Sequence, residues 1–406
     1  MKKIKIFNDP IYGFITVENA LIFNIIEHPY FQRLRRISQM GLSYLVYPGA
    51  HHTRFHHALG CCFLMKKAID VLRMKEIEIS KTEEEALYIA ILLHDIGHGP
   101  FSHALESSIV ENVHHEEISL YFMEMLNETF EGKLSLAIQI FKGKYHRKFM
   151  HQLIASQLDV DRLDYLKRDS FYSGVAEGNV NAERLITMLH VKNDELVIED
   201  KGIYSVEKFI VARRLMYWQV YLHKTGLVAE NILVKILQRA KELVGKGEVL
   251  PSSKALQFFL RDTISKENFD NQILEKFSKL DDFDIMSAIK LWCDHPDFIL
   301  SYMCNSKMNR KLPKIEMQTK EFSEEYINEM KQKVSKKYAL NKQELNYLVF
   351  HGKVQNKAYN IDNEQINILY KDGSIADISE ASDNLSIQAL SKLVTKYFIC
   401  YPKNLD

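Results

Sequence analysis

A histidine and an aspartate, His94 and Asp95, close an apolar stretch that predicts a buried helix over residues 83–94. Buried imidazole and carboxylate groups are costly unless they are paired or bind a metal ion. Two further groups that suit the same ion, His57 and Asp161, occur elsewhere in the chain. Together the four side chains predict a divalent cation held between helices, and therefore phosphate-ester chemistry.

Composition favours a protein of a reducing compartment. The 406 residues carry 53 Lys plus Arg and 53 Asp plus Glu, so no global basic field favours nucleic acid. The five cysteines form no C-x-x-C pair, which favours buried free thiols. The first ten residues lack the apolar core of a signal peptide, and no window approaches the roughly 20 apolar residues that span a bilayer. We therefore expect a cytoplasmic protein with no membrane partner.

Apolar residues at helical spacing dominate the chain up to about residue 303. Residues 4–17 differ, because they alternate loosely around a turn and predict two short strands. Helices are predicted over residues 53–74, 83–94, 113–127, 148–157, 161–169, 204–225, 227–244 and 283–303.

The pattern changes after residue 346, where short alternating runs predict strands. Asp372-Gly373 stands between two such runs and predicts a β-hairpin. Residues 385–398 are predicted to form a closing helix.

These elements predict a mainly α protein. We expect a helical bundle as the body, over residues 1–310, and a smaller α+β C-terminal subdomain over residues 311–406. The motifs that carry chemistry concentrate at about 50–170 of the body.

The two adjacent metal candidates need a special backbone, because neighbouring residues on a helix face different ways. Gly97 and Gly99 end the helix directly after His94 and Asp95, which lets both reach one ion. Nine of the 16 histidines lie within residues 51–115, and such clustering favours ligation or phosphate binding. The ordinary alternative has His94 capping the helix and Asp95 in a salt bridge.

Competing motifs fit less well. His94 and His98 have the spacing of the zinc-protease motif H-E-x-x-H, but Asp95 replaces its glutamate and Gly97 breaks the helix. The sequence has no phosphate-binding G-x-x-x-x-G-K-[ST] loop and no dinucleotide-binding G-x-G-x-x-G. It also lacks the G-x-S-x-G elbow of serine hydrolases.

Four ordered motifs complete the pattern: FQRLR at 31–35, PGAHHTRFHHALG at 48–60, HDIGHGPFSH at 94–103 and LDVDRLDYLKRD at 158–169. In this combination the chain resembles the HD-domain deoxynucleoside triphosphate (dNTP) triphosphohydrolases. The nearest branch is that of the sterile-alpha-motif and HD-domain dNTPases, without the sterile-alpha-motif domain. The resemblance extends over about residues 7–225.

The resemblance implies cleavage of a dNTP to a deoxynucleoside and inorganic triphosphate. It implies one divalent ion, and two histidines with two carboxylates suit Fe, Mn, Zn, Ni or Mg without distinguishing them; a further Mg would accompany the triphosphate. The implied roles are metal ligation by His57, His94, Asp95 and Asp161; catalysis by His115 with Glu116 beside it; phosphate contact by His98 and His103; triphosphate binding by Arg54, Arg162 and Arg213; and deoxyribose recognition by Gln39, Tyr165, Asp169 and Tyr221.

These roles agree with physical chemistry. A leaving 5′-oxygen needs an acid, which a histidine supplies, and charge on the phosphates needs fixed arginines. Tyr221 could exclude a ribose 2′-hydroxyl by packing against the sugar. The ordinary alternatives are surface arginines and core tyrosines.

Two positions depart from the resembled pattern. His56 stands where relatives often carry Glu, and this affects the surroundings of His57. Arg162 stands where relatives often have Lys, which keeps the charge and changes its geometry.

The resembled branch also binds a guanine nucleotide that promotes a tetramer. We therefore expect a guanine-nucleotide effector and a homo-oligomer, either a dimer or a tetramer. The alternative is that Arg33, Arg35 and Arg36 form an ordinary solvated helix face. The comparable effector positions are Asn8, Glu27 (in place of Asp), Gln32 and Arg35.

Two other functions remain open at this stage. Another HD phosphohydrolase, such as a nucleotidase or phosphodiesterase, would keep the metal ligands without needing three convergent arginines. A nucleotide- or nucleic-acid-binding regulator would use the basic segments 33–36 and 331–337, with single-stranded nucleic acid as its partner.

Overall fold

The structure is a computed structural model, and it describes residues 4–101, 106–361, 365–384, 387 and 390–405. It begins with the predicted hairpin, formed by antiparallel strands β1 (Lys5–Asp9) and β2 (Gly13–Val17). The Asp9 carboxylate accepts hydrogen bonds from the backbone of Ile11 and Tyr12, which closes the turn.

Helices and one small hairpin build the body that follows. The mainly α class is confirmed. In chain order the elements are α1 (Ala20–Glu27), α2 (Pro29–Gln32), α3 (Arg54–Met74), α4 (Lys81–Leu93), α5 (Glu106–Ile109), α6 (His115–Thr129), α7 (Ser135–Phe141), α8 (Lys148–Gln152), α9 (Val160–Ser173), α10 (Ala182–Thr187), β3 (Leu189–Lys192), β4 (Glu195–Glu199), α11 (Ile203–Met216), α12 (Lys224–Gly245), α13 (Lys254–Arg261), α14 (Asn271–Phe277), α15 (Asp282–Trp292) and α16 (Phe298–Met308).

Local capping explains where the site helices begin. Thr53 precedes α3, and its backbone N–H donates to His56 Nδ1 over 3.2 Å, so His56 performs the capping role that glutamate often has. Ser80 and Glu83 form the same reciprocal cap at α4. Asp159 caps α9 by accepting from the Arg162 N–H at 2.7 Å.

Helix α4 runs through the core and ends there. Its residues from Ile89 to Leu93 are fully buried, so the chain delivers His94 and Asp95 to the interior. This is why two ionisable groups follow a buried apolar helix.

Two long predicted helices are each divided in the structure. The π-helical turn Tyr217–Tyr221 follows α11, and His223 then caps α12 by accepting from the Thr225 N–H at 3.1 Å. Asp297 caps α16 in the same way, with Pro296 before it, so the predicted helix over 283–303 becomes α15 and α16.

The C-terminal region mixes strands and helices. Strand β9 lies between β5 and β6 in an antiparallel sheet, and β7 pairs with β8 around Gly373, whose φ is +84°. The predicted hairpin at Asp372-Gly373 is confirmed. The elements are β5 (Lys314–Gln318), α17 (Glu324–Tyr338), α18 (Lys342–Leu348), β6 (Phe350–Asn356), β7 (Asn367–Leu369), β8 (Ile375–Asp377), α19 (Ile378–Ala381) and β9 (Val394–Tyr401).

The predicted helix over 385–398 is wrong from Val394 onward, while the described residues 387 and 390 are helical. Residues from Val394 onward form β9, because β-branched and aromatic side chains there pair with strands on both sides. Residues 385, 386, 388 and 389 lie outside the described part of the chain.

The C-terminal region is joined to the body through a shared sheet. Strand β7 pairs in parallel with β4, and the order of the mixed sheet is β3-β4-β7-β8. Within the described ranges, no helix combines the length and the apolar character needed to cross a membrane.

Candidate metal centre

The four predicted ligands come together from three helices. His57 lies on the first turn of α3, His94 and Asp95 follow α4, and Asp161 lies on the first turn of α9. His57 Nε2 is 3.0 Å and His94 Nε2 is 3.4 Å from Asp161 Oδ1. Asp95 completes the group, with oxygens 3.7 Å from His57 Nε2 and 3.5 Å from His94 Nε2. Donors that each lie about 2.1 Å from one ion are roughly 3 to 3.5 Å apart, so the spacing of His57, His94 and Asp161 fits a single cation, and the distance from Asp95 to His57 slightly exceeds this range.

The protein holds each histidine so that its Nε2 faces the centre. His57 Nδ1 lies 2.7 Å from Asp164 Oδ2, and His94 Nδ1 lies 2.6 Å from the carbonyl oxygen of Ile91. An Nδ1–H that donates to these oxygens leaves the Nε2 lone pair for a metal. Within the described residues, the buried Nε2 of His94 has no hydrogen-bond partner, which a bound cation would remedy.

A network of buried charged residues holds His57 on its Nδ1 side, away from the metal centre. Arg168 donates to Asp164 from Nε at 2.8 Å and from Nη2 at 3.0 Å, and to Asp9 from Nη1 at 2.8 Å. Burial works against a charged Asp164, but Arg168 and the bond with His57 lower the pKa of its carboxyl to about 2. Gly60 is required beside this chain, because a Cβ there would overlap Asp164 Oδ1 and Arg168 Nη2.

Cys61 was not singled out from the sequence, although it lies one helical turn after His57. Its sulfur is 3.5 Å from Nδ1 and 3.6 Å from Nε2 of His57, so the buried thiol packs over the imidazole ring. Candidate donor atoms of His57, Cys61, His94 and Asp161 all lie within 4.8 Å of one another.

A pair of histidines lies beside the metal centre. The rings of His98 and His115 stack with centroids 3.9 Å apart, and His98 Nε2 is 3.3 Å from Asp95 Oδ1. Burial and nearby Arg54 hold the pKa of His98 well below its usual value, so its imidazole is neutral. Glu116 is exposed on α6, while His103 lies outside the described residues.

The alternative of an ordinary solvated helix face is wrong for Arg33, although Arg35 and Arg36 are exposed. The residue is 0% exposed, and its guanidinium donates to the carbonyls of Leu280, Ile96 and His98 at 3.1, 3.2 and 2.6 Å. It therefore ties the loop that carries His98 to the start of α15. Its spacing from Tyr30 and Ile37, both buried, is the sequence signal that could have indicated burial.

The loop after Asp95 has further supports that sequence reasoning missed. Ser119 Oγ donates to the His94 carbonyl at 2.8 Å and accepts from the Gly97 N–H at 2.9 Å. Asp282 accepts from the N–H groups of Phe101 and Ser38, each at 2.8 Å. The same carboxylate thus fixes two loops that border the site.

The residues predicted to bind the sugar also lie close together. Tyr221 OH donates to Asp169 Oδ2 at 2.8 Å, and His52 Nε2 lies 2.7 Å from Asp169 Oδ1. The ring of Tyr165 packs edge-on against Tyr221, and the Gln39 N–H donates to the His52 carbonyl at 3.0 Å. His52 was not singled out from the sequence, where it is one histidine of a dense cluster.

Three buried polar atoms of the residues predicted to bind the substrate have no hydrogen-bond partner within the described part of the chain. They are Gln39 Oε1, Arg162 Nε and Arg213 Nε. Buried polar groups are normally satisfied, so such a set indicates a ligand that supplies the missing partners. Arg54, the remaining predicted triphosphate residue, forms a buried ion pair with Asp95.

The effector candidates are connected only in part. Arg35 Nε donates to Gln32 Oε1 at 2.9 Å, and the Arg35 guanidinium lies 3.5 Å from the centre of the Phe55 ring. Asn8 pairs with Phe14 in the hairpin, and Glu27 ends α1. Their role as an effector site stays a prediction.

The site defines a class of protein: a histidine–aspartate pair joined by a histidine and an aspartate from two other helices. The family model described as HD domain matches residues 54–169, and the one described as HD associated region matches residues 180–257. The chain belongs to the HD-domain family of phosphohydrolases, as its motifs predict.

Several relatives are similar over most of this chain. The uncharacterized protein YwfO of Bacillus subtilis is 36% identical over 316 residues, 76% of this chain and 71% of that protein. A deoxynucleoside triphosphate triphosphohydrolase SAMHD1 homolog of Dictyostelium discoideum is 32% identical over 62% of this chain and 52% of its own length. The crystal structure of a phosphohydrolase from Bacteroides thetaiotaomicron is 51% identical, with a TM-score of 0.96, over 99% of this chain and 100% of that one.

Proposed function

We propose that the protein hydrolyses deoxynucleoside triphosphates to a deoxynucleoside and inorganic triphosphate. The observation that carries this proposal is the continuity between the metal centre and the unsatisfied arginines. Arg162 directly follows the ligand Asp161, and the Arg213 guanidinium lies 5.8 Å from the ring of Tyr217, which packs against Tyr221. A phosphate tail on these arginines would place a sugar near Tyr221 and Asp169.

The names of relatives support the substrate class. The Dictyostelium relative is named as a dNTP triphosphohydrolase, and so is a Gallus gallus protein that is 26% identical over 80% of this chain and 64% of that protein. A nucleotidase or phosphodiesterase would leave Arg162 Nε and Arg213 Nε without a phosphate to bind.

The metal ligands, the histidines and the arginines would each have a separate role in the reaction. A divalent ion bound by the four ligands would polarise the α-phosphoryl group and lower the pKa of the attacking water. The water oxygen would bond to the α-phosphorus as the bond to the 5′-oxygen breaks, and His115, stacked on neutral His98, would deliver the proton that the leaving 5′-oxygen needs. Arg54, Arg162 and Arg213 bind the charged tail that leaves as triphosphate.

The test is a product analysis. Purified protein is incubated with each dNTP and either manganese or magnesium, and the products are separated by ion-exchange chromatography. We expect deoxynucleoside and triphosphate in equal amounts, and no turnover by Asp161→Ala. Orthophosphate or pyrophosphate as the phosphate product would refute attack at the α-phosphorus. Salt-dependent binding of single strands without metal-dependent turnover would favour the regulator instead.

We further propose that a guanine nucleotide binds at Asn8, Glu27, Gln32 and Arg35 and promotes a homo-oligomer. The contact between Arg35 and Gln32 supports a shared polar site there. Chromatographic size and dNTP turnover, each measured with and without dGTP, test this. No change in either would remove the effector from the proposal.

A further inference from the structure

A short segment of the C-terminal region lies against the substrate side of the site. We call residues 356–360 the strap; it begins at the last residue of β6. Gln157, in the turn before α9, makes two hydrogen bonds with the strap residue Asn360. Gln157 Nε2 donates to the Asn360 carbonyl at 2.6 Å, and Gln157 Oε1 accepts from the Asn360 N–H at 2.7 Å. A buried amide thus pairs with both backbone groups of one residue.

The turn that Gln157 occupies sets the start of α9. Asp159 in this turn accepts from the N–H groups of Ser156 at 2.8 Å and of Arg162 at 2.7 Å. Arg162 Nη1 also lies 3.6 Å from Asp159 Oδ2. The strap is therefore linked through Gln157, its neighbour Ser156 and Asp159 to Arg162, whose Nε has no partner among the described residues.

The strap also contacts the second such arginine directly. Arg213 Nη1 donates to the carbonyl of Ala358 at 3.3 Å, while Arg213 Nε is the unsatisfied buried donor. Nη1 is thereby held by the strap, and Nε is left for a ligand. Lys357 Nζ donates to Asn360 Oδ1 at 2.8 Å, which braces the strap internally.

The position of the strap is set by the C-terminal fold. Ala358 and Tyr359 are buried, and Tyr359 OH donates to the Asp377 carboxylate at the end of β8. The same hydroxyl accepts from the Ile366 N–H at 3.0 Å. The C-terminal sheet therefore carries the strap, and the strap in turn contacts the two arginine positions.

We propose that the strap is a positioning element for polyphosphate binding. Through Gln157 and Ala358 it holds Arg162 and Arg213 in the orientation that binds a chain of phosphates, so the C-terminal subdomain sets the affinity of the site for that tail. This inference rests on the proposed function, because it assigns the two arginines to a triphosphate.

The test uses Gln157→Leu, which keeps the approximate size of the side chain and removes both bonds to Asn360. The probe is inorganic triphosphate, titrated by calorimetry into the manganese-loaded full chain. We expect its Kd to rise about tenfold, since two neutral hydrogen bonds are lost. For dNTP hydrolysis KM should rise by a similar factor while kcat changes less, and the manganese stoichiometry should stay the same.

A matched control separates positioning from general stability. Ser382 Oγ donates to Glu207 Oε1 at 2.5 Å and thus also joins the C-terminal region to α11, through residues outside the strap. Ser382→Ala should leave the Kd for inorganic triphosphate unchanged. Should Gln157→Leu fail to fold, Lys357→Ala loosens the strap from a half-buried position and should also raise that Kd.

Different results would overturn the strap and the proposed function. Wild-type affinity for inorganic triphosphate in folded Gln157→Leu would overturn the strap and leave the proposed function standing. A wild-type protein that neither binds inorganic triphosphate nor releases it from any dNTP would overturn both.

Discussion

Replacing Gly60 by alanine should weaken metal binding without touching a metal ligand. Gly60 lies on α3 beside the buried pair of Asp164 and Arg168. The added Cβ would overlap Asp164 Oδ1 and lie 2.8 Å from Asp164 Cγ. Carbon atoms in contact are about 3.5 to 4 Å apart, so the carboxylate has to move by roughly 1 Å.

That shift is enough to break the contact behind His57. Asp164 Oδ2 now lies 2.7 Å from His57 Nδ1, and a movement of about 1 Å takes the pair out of hydrogen-bonding range. Losing the partner of a metal-bound histidine costs about 10- to 100-fold in metal affinity. The expected loss is therefore about 1.4 to 2.7 kcal/mol of binding free energy.

Manganese titration followed by electron paramagnetic resonance measures this loss. Gly226→Ala is the matched control, since a Cβ at Gly226 in α12 meets nothing within 4 Å, and it should bind manganese like the wild type. The reasoning is refuted if Gly60→Ala is folded and binds manganese as tightly as Gly226→Ala.

Three further outcomes follow from the structure. Arg33→Met should lower the free energy of unfolding in urea by about 3 kcal/mol, because three buried carbonyls lose their donor; an unchanged midpoint and slope would show that water replaces the guanidinium. Burial lowers the pKa of Lys307 to about 8, so the unfolded chain binds more protons than the folded one between pH 8 and about 10.4. The free energy of unfolding should therefore rise with pH in that range, by up to about 3 kcal/mol relative to Lys307→Met. Parallel curves of unfolding free energy against pH for the two proteins would contradict this. Tyr221→Ala should raise GTP turnover relative to dGTP by opening space at the sugar, and an unchanged ratio would reject steric exclusion by Tyr221.

The sequence was sufficient to propose the donor set of the candidate metal centre, because residue types indicate metal-binding chemistry. Histidine and aspartate are the residues that bind such ions, and His94 and Asp95 follow an apolar helix that has to be buried. The helix periods of α3, α4 and α12 are local patterns too, so they were predicted with ends within a few residues. The secondary structure around residues 394–398 was not, because the helical spacing of its apolar residues is overridden by pairing with two strands.

Contacts between distant residues decided the rest. Arg33 reaches a carbonyl 247 positions away, and Gln157 pairs with a residue 203 positions away. Side-chain periodicity within one element indicates which face is buried but carries no information about which partner that face meets. The sequence by itself therefore determined the ligand types, most of the helices and the family. Only the tertiary structure decided how Asp164, Arg33 and the strap orient the site, because those orientations come from packing between elements that the sequence keeps far apart.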